Sequence, residues 1–383
     1  SARELLVEVS RQYEVYHLMI EEGYGMIYEK EHVMRQWMGL LGDRAILVSD
    51  VTKIPEIIVS ILEIAAGKDA KEVGWLYCNS SPNSRRKTLS GERFRRSDRI
   101  LGQGCKGMKD VRIVIGANFG DEGKGMMTDY FSQNPDTLVI CFNGGAQKGH
   151  TVVTPDGLRH VFHHFGSGTC SKAATYLTED FILNPIIFRM EYEELQNIGV
   201  TPVVYVHRDC RVTTPFDMMA NQMIEETRGK EKHGSCGLGI FETIKRYRAG
   251  IPDTMAAIRD YYLQRFQMEK RTLTKEWQMR FLDQGIWEHF LEDQQFMWEH
   301  MTVVEDESFF DAFSHFVFEA EQGLLLDQNN RAYFPHLTPS NTGIKNARKV
   351  IERIAWKEPV NIETCYVSRT YLTRHGAGKF PTE

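Results

Sequence analysis

Two glycine-rich stretches carry the residues whose types and spacing could do chemistry. The first is Gly116-Ala117-Asn118-Phe119-Gly120-Asp121-Glu122-Gly123-Lys124-Gly125, which follows the β-branched run Ile113-Val114-Ile115 and leads into Met126, Met127, Tyr130 and Phe131 at helical spacing. That order predicts a strand, a tight loop and a helix start. Glycines let backbone N–H groups approach an anion, and a helix N-terminus adds partial positive charge, so the stretch reads as a phosphate cradle with Lys124 as its point charge. Gly125 stands where a phosphate-binding loop usually has the Ser or Thr hydroxyl that holds magnesium. Asp121 is the nearest hard oxygen donor that could hold the metal instead. By itself the stretch reads first as an ordinary glycine turn between a strand and a helix.

The second stretch, Asn143-Gly144-Gly145-Ala146-Gln147-Lys148-Gly149-His150-Thr151, follows the apolar run Thr137-Leu138-Val139-Ile140-Cys141-Phe142. A lone histidine is more often a structural hydrogen-bonder than a catalyst. His150 is a stronger candidate, because it sits in a second glycine loop after a strand that would run parallel to the first.

The elements that must position these loops follow from the rest of the chain. Its 383 residues are enough for two or three domains, and 42% hydrophobic content, 26% charged content and a formal net charge of -6 describe a globular protein with no general case for nucleic-acid binding. The seven cysteines lack any CxxC pair and read as reduced thiols. No apolar run approaches the roughly 20 residues that span a bilayer, and no signal-peptide core is present, so a cytoplasmic location is expected. Residues 1–75 read as a small α/β segment, with strands at Tyr13 to Ile20 and Arg44 to Val48 and helices at Lys30 to Leu41 and Ile54 to Ala66. Residues 76–107 are rich in Ser and Arg and read as a basic linker; a nucleic-acid-binding arm is the alternative, and Met108 could also begin an independent protein. Between Pro252 and His300 the spacing of Leu273, Trp277 and Phe281, continued by Trp287, Phe290 and Leu291, predicts a packed helical insertion. The run Asp311 to Phe318 should return to the sheet and deliver Glu319 and Gln322. The expected fold is α/β, a mainly parallel central sheet of P-loop-like nucleotide-binding type with a helical insertion, its loops at the carboxyl edge of the sheet.

The two loops resemble those of the adenylosuccinate synthetases, which join IMP and L-aspartate at the expense of GTP. Gly120-Asp121-Glu122-Gly123-Lys124-Gly125 matches the family signature, and Phe142-Asn143-Gly144-Gly145 through Gly149-His150-Thr151 matches its second loop. Phe318-Glu319-Ala320-Glu321-Gln322-Gly323 through Leu326-Asp327, then Ser340-Asn341-Thr342, then Thr373-Arg374 with Gly376-Ala377-Gly378-Lys379-Phe380-Pro381-Thr382-Glu383, follow the family in order. The resemblance therefore spans 108–383.

It implies roles for particular residues. Asp121 would take the N1 proton of IMP as general base, the 6-oxygen would attack the γ-phosphate of GTP, and the aspartate amine would displace phosphate from the resulting 6-phosphoryl-IMP. His150 would stabilise and protonate the phosphoryl group in flight, and Lys124 completes the implied catalytic set. The GTP phosphates fall to Gly120, Glu122, Gly123, Lys124, Gly125, Gly149, His150 and Thr151, and Mg2+ to Asp121 and the carbonyl of Gly149. IMP falls to Asp121, Gln147, Ser235, Cys236, Gln322 and Thr338, with an arginine borrowed across a homodimer, Arg246 or Arg248, of which Arg248 is carried into the site.

Departures from the family qualify these expectations. Gln147-Lys148 replaces Asn-Ala and adds a bulky cation beside an IMP phosphate contact; Leu238 replaces an arginine, Cys236 a threonine, and Asn118-Phe119 replaces Gln-Trp. Viral relatives that act on dGMP lose the signature aspartate, so retention of Asp121 ranks IMP above dGMP. The sequence ends at Glu383, before the family's arginine-rich loop for L-aspartate and its Lys-x-Asp guanine reader. The domain is accordingly expected to be incomplete at its C-terminus, and a non-catalytic nucleotide-binding fragment is the alternative function.

Overall fold

The structure is a computed structural model that describes residues 108–271 and 273–380 together with the backbone of two N-terminal strands. Those strands, β1 (His17–Ile20) and β2 (Ala45–Val48), pair in parallel, His17 opposite Ala45. They coincide with the two strands expected in the first 75 residues; the helices expected at 30–41 and 54–66 and the linker at 76–107 lie outside the described residues. The chain divides into two units, Ser1–Lys106 with Cys365–Leu372 and Gly107–Thr364 with Thr373–Glu383.

The remaining strands are β3 (Lys109–Gly116), β4 (Thr137–Cys141), β5 (His150–Val153), β6 (Arg159–Phe162), β7 (Ala174–Leu177), β8 (Ile182–Leu183), β9 (Val204–His207), β10 (Arg211–Val212), β11 (Thr302–Val304), β12 (His315–Gly323) and β13 (Val360–Val367). Seven of them form one sheet in the order β11-β9-β7-β4-β12-β3-β13, and the pairings from β11 through β3 are all parallel. Such strands are covered on both faces, which is why β4 (TLVIC) is buried throughout and reads as an unbroken apolar run. The expected mainly parallel sheet is thus present. β5 and β6 form an antiparallel hairpin, with His150 opposite Phe162.

The placement of β12 matters most for function. It lies between β3 and β4, so the two strands that feed the glycine loops flank it on either side. Glu319 is in register with Val114 of β3 and Cys141 of β4. Beyond it the register slips: β12 runs from Glu319 to Gly323 while β3 runs only from Val114 to Gly116. An irregularity of this kind re-aims side chains at a strand end.

The described residues also form eight α-helices: α1 (Lys124–Phe131), α2 (Pro185–Asn197), α3 (Pro215–Arg228), α4 (Ile240–Arg248), α5 (Met255–Met268), α6 (Lys275–Leu282), α7 (Gln284–Glu299) and α8 (Lys345–Arg353). Several begin where the sequence supplies a cap. Thr214 and Asp217 form a reciprocal capping box before α3, and Asn184 with Pro185 starts α2. The helical insertion is α5 to α7. Trp277 and Phe281 pack with Ile258, Tyr262 and Phe266 against Phe216, Met219 and Met223 of α3. Phe290 and Met297 of α7 join the other core, beside Phe188, Tyr192 and Leu195 of α2. Leu291, expected on the buried stripe, is 44% exposed, because α7 presents the Phe290–Met297 face to α2. Among the described residues no helix is long and apolar enough to cross a membrane.

Candidate active site

The signature loop folds around its own anion. Glu122 turns inward, where its Oε1 accepts the N–H groups of Asn118 (2.9 Å) and Gly120 (2.8 Å) and its Oε2 lies 3.2 Å from Lys124 Nζ. Both side chains are almost fully buried. Glu122 and Lys124 therefore brace each other, and in this arrangement Glu122 could serve a phosphate through its backbone N–H alone. The helix that follows starts at Gly123 in the left-handed region with no side-chain cap, so the first turn of α1 keeps N–H groups for an anion. Asp121 turns the other way. It adopts φ 62°, a conformation unusual for a residue with a Cβ but one that aspartate tolerates, and its side chain is 53% exposed.

The missing hydroxyl at position 125 has a packing reason. A Cβ on Gly125 would lie 2.8 Å from His150 Cβ and 3.1 Å from Ser167 Oγ. The absence of a side chain lets the start of α1 rest directly on the histidine loop, which brings the two glycine stretches into one site.

His150 sits in a dry network centred on Glu319. Its Nδ1 is 2.6 Å from Glu319 Oε1 and its Nε2 is 3.3 Å from the carbonyl of Glu321. Glu319 also accepts the N–H of Ser167 (3.1 Å), the Ser167 hydroxyl and the ammonium of Lys148 (3.4 Å). Burial pushes the Glu319 carboxyl up, but Lys148 and His150 outweigh it and hold the group ionised, well below the usual carboxylate range. For His150, burial, with the charges of Lys124 and Lys148 adding to it, outweighs the pull of the Glu319 charge and hydrogen bond and lowers the imidazole's pKa. Its Nδ1 faces the Glu319 carboxylate and its Nε2 the Glu321 carbonyl, so Glu319 fixes the ring's orientation. Lys148, the bulky cation added at this departure from the family, is fully buried, and it also donates to the Phe165 carbonyl at 3.0 Å.

Two residues further along β12, Glu321 behaves differently. Its Oε2 accepts the Gly145 N–H (2.7 Å) and the Gln322 amide (3.2 Å), whereas its Oε1 has no partner. Burial raises its pKa to about 8 against these lowering contacts.

A third segment closes over the signature loop. The Thr373 hydroxyl donates to the Gly120 carbonyl (2.7 Å) and the His375 N–H to that of Phe119 (3.0 Å). The Arg374 guanidinium lies 4.8 Å over the buried Phe119 ring and also donates to the His336 carbonyl at 3.1 Å. Phe119, a departure from the family, is thus the apolar anchor of this segment. His375 Nδ1 reaches 3.5 Å from Asp121 Oδ1, a contact that raises the His375 pKa. Gly234 adjoins Ala377 in the same segment, which joins the Gly234-Ser235-Cys236-Gly237-Leu238-Gly239 turn to it. Within that turn Ser235 Oγ donates to Asn221 Oδ1 at 2.7 Å, and Cys236 is exposed.

The remaining expected contacts are less gathered. Gln322 is buried with its Oε1 unpartnered, Gln147 Oε1 is likewise buried and unpartnered, and the Thr338 N–H is taken by the Leu326 carbonyl. Gly149 and Thr151 are exposed at the hairpin start. Arg248 lines a cavity of about 140 Å3 with Gly144, Arg211, Ser340 and Asn341, a lining that does not include Ser235, Cys236 or Thr338. Arg246 is excluded as a donor to a neighbour: it is fully buried and clamped by Asp217 (3.0 Å), the Val212 carbonyl (2.7 Å) and Asp253. Sequence reasoning assigned no role to Glu319, Lys148, Glu321 or His375. Glu319 had been placed at the strand end and Lys148 marked as a departure, but neither signal reveals that they meet.

Comparison with known proteins follows the same residues. The sequence profile of the family described as adenylosuccinate synthetase matches residues 113–383. The chain is 31% identical over 290 residues to the adenylosuccinate synthetase of Microcystis aeruginosa and 32% identical over 287 residues to that of Mesoplasma florum. Those matches take in 71% of this chain but 62% and 64% of the relatives, so the chain spans less than two thirds of their length. The structure of fully ligated adenylosuccinate synthetase from Plasmodium falciparum superposes with a TM-score of 0.51 at 20% identity, covering 70% of this chain and 64% of that one, a likeness of fold. With the profile matched over most of its length, the chain belongs to the adenylosuccinate synthetase family.

Proposed function

We propose that this chain carries the nucleotide-binding and phosphoryl-transfer part of a cytoplasmic adenylosuccinate synthetase, which joins IMP and L-aspartate with conversion of GTP to GDP and phosphate. The observation that carries the reading is the contact at Gly125, which sets His150 directly against a phosphate-cradling loop. Asp121, half exposed at the loop mouth, takes the N1 proton of the purine so that its 6-oxygen can attack the γ-phosphate. Backbone N–H groups at the start of α1, with Lys124, hold the phosphates. His150 keeps its Nδ1 on Glu319, and its Nε2, which rests 3.3 Å from the Glu321 carbonyl, would turn from that carbonyl to the phosphoryl oxygens as charge develops. Displacement of phosphate from carbon 6 of the 6-phosphoryl intermediate by the aspartate amine then gives the product. Gln322 and Gln147, each with an unpartnered buried oxygen, are IMP contacts, Gln147 on the phosphate side.

Mg2+ fits the donors present. The exposed Asp121 carboxylate and the carbonyl of the exposed Gly149 are hard oxygens, and magnesium commonly takes one or two protein ligands alongside water and phosphate oxygens. Among the described residues no cluster of three or more His, Cys, Asp or Glu competes for such an ion. When bound, it would offset charge on the transferring phosphate.

The test is direct. The protein is mixed with IMP, GTP, Mg2+ and L-aspartate, and adenylosuccinate and GDP are followed; Asp121→Asn should lose turnover by roughly 100-fold or more while retaining the parent's circular dichroism. GTP binding without product or GDP would instead mark a nucleotide-binding module. Replacement of IMP by dGMP separates the two substrates, and retention of Asp121 favours IMP. A homodimer in which Arg248 reaches the neighbour's site belongs to the same proposal, as does the division into a small segment over 1–75, a basic linker over 76–107 and the nucleotide domain from 108. Light scattering, and the activity of a chain beginning at Met108, check them.

A further inference from the structure

His375 belongs to none of the residue sets above, yet the fold delivers it to the proposed base. Asp121 projects from a loop in which Gly120 and Gly123 also have positive φ, and its carboxylate is half exposed. A base must be held close to its productive geometry. The segment carrying His375 is itself firmly seated. Its N–H donates to the Phe119 carbonyl, the Thr373 hydroxyl to the Gly120 carbonyl, and Arg374 lies over Phe119 while donating to the Ala377 and His336 carbonyls. The approach is close enough that a Cβ on Gly120 would lie 3.1 Å from His375 Cβ. From this seat the imidazole Nδ1 comes within 3.5 Å of Asp121 Oδ1.

We propose that His375 is a positioning residue, its Nδ1–H holding the Asp121 carboxylate in the orientation from which it takes the substrate proton. This rests on the ligation reading above and adds a residue to its reactive centre. Misplacement of a reacting group by about 1 Å can cost on the order of 100-fold in rate. In the full chain, His375→Ala should therefore lower kcat by roughly 10- to 100-fold with KM for GTP essentially unchanged, and His375→Gln, which keeps an N–H donor at similar reach, should restore most of it. Parent-like kcat in His375→Ala, or equal loss in the Ala and Gln variants, would overturn the inference while an inactive Asp121→Asn leaves the ligation reading standing. Full turnover in Asp121→Asn would instead sink the ligation reading, and the positioning role with it. The contact has a readout that needs no turnover: the His375 ring 15N resonances should move in Asp121→Asn, and resonances that stay in place would overturn the inference.

Discussion

Two buried lysine–glutamate pairs serve the proposed site, and they differ in almost everything except chemistry. Glu122 and Lys124 are two residues apart and close a single loop at 3.2 Å. Lys148 and Glu319 are 171 residues apart and meet at 3.4 Å, where they tie the loop after β4 to the end of β12. The local pair encloses two backbone N–H groups that point at an anion, so a phosphate can take over the role Glu122 plays. The distant pair sets the imidazole of His150 through a shared carboxylate and is fully buried.

Substitutions can break that distinction. Glu319→Gln should have the largest effect, because it leaves the Lys148 ammonium buried without its counter-charge; removal of one partner of a buried pair costs about 3–5 kcal/mol. Urea unfolding should show that loss, and saturating Mg·GTP should stabilise the variant no more than it stabilises the parent. Gly125→Ser comes next. It installs the hydroxyl that phosphate-binding loops usually carry, but its Cβ would meet His150, so turnover should fall by roughly 10- to 100-fold rather than rise. Glu122→Gln keeps an acceptor for Asn118 and Gly120 and removes only the charge facing Lys124. A loss of about 1–3 kcal/mol is expected, with a larger stabilisation by Mg·GTP than the parent shows, since the nucleotide resupplies the anion. Equal responses of Glu122→Gln and Glu319→Gln to nucleotide would erase the contrast.

The last contrast concerns Glu321. Its folded pKa is raised to about 8 from an ordinary 4.5, so the folded protein keeps a proton that the unfolded chain has lost between those values. Stability from this group accordingly falls as pH rises from about 4.5 through 8 and falls no further above it. Glu321→Gln, which resembles the protonated side chain, should flatten that slope in unfolding measurements across the interval; an unchanged slope would assign the pH dependence to other groups. Glu319, on the same strand, has the opposite sign. Its lowered pKa stabilises the fold above its unfolded value and loses that contribution in acid.

Much of the fold was legible in residue patterns. The strands at β1 and β2, the buried run of β4, the helix start after the signature loop and the Trp277–Phe281 face of the insertion were expected from periodicity and composition, as was a mainly parallel sheet. Leu291 was misplaced because helical spacing identifies a stripe without saying which neighbour the helix will meet, and α7 turned toward α2. The signature loop, too, could be read directly, since its glycines, Asp121, Glu122 and Lys124 lie within ten residues and local backbone geometry determines what they can approach.

The chemistry around that loop was another matter. Nothing local to Lys148 says that it is a buried counter-charge rather than a ligand contact; that depends on β12 lying between β3 and β4, a choice made by the packing of the whole sheet. Glu321 and Gln322 owe their directions to the register slip at the end of β12, and His375 owes its place beside Asp121 to hydrogen bonds with a loop some 250 residues earlier in the chain. Short-range propensity and glycine geometry set which residues could bind phosphate. Burial and strand order, which are properties of the assembled fold, set which of them carry charge and what each one faces.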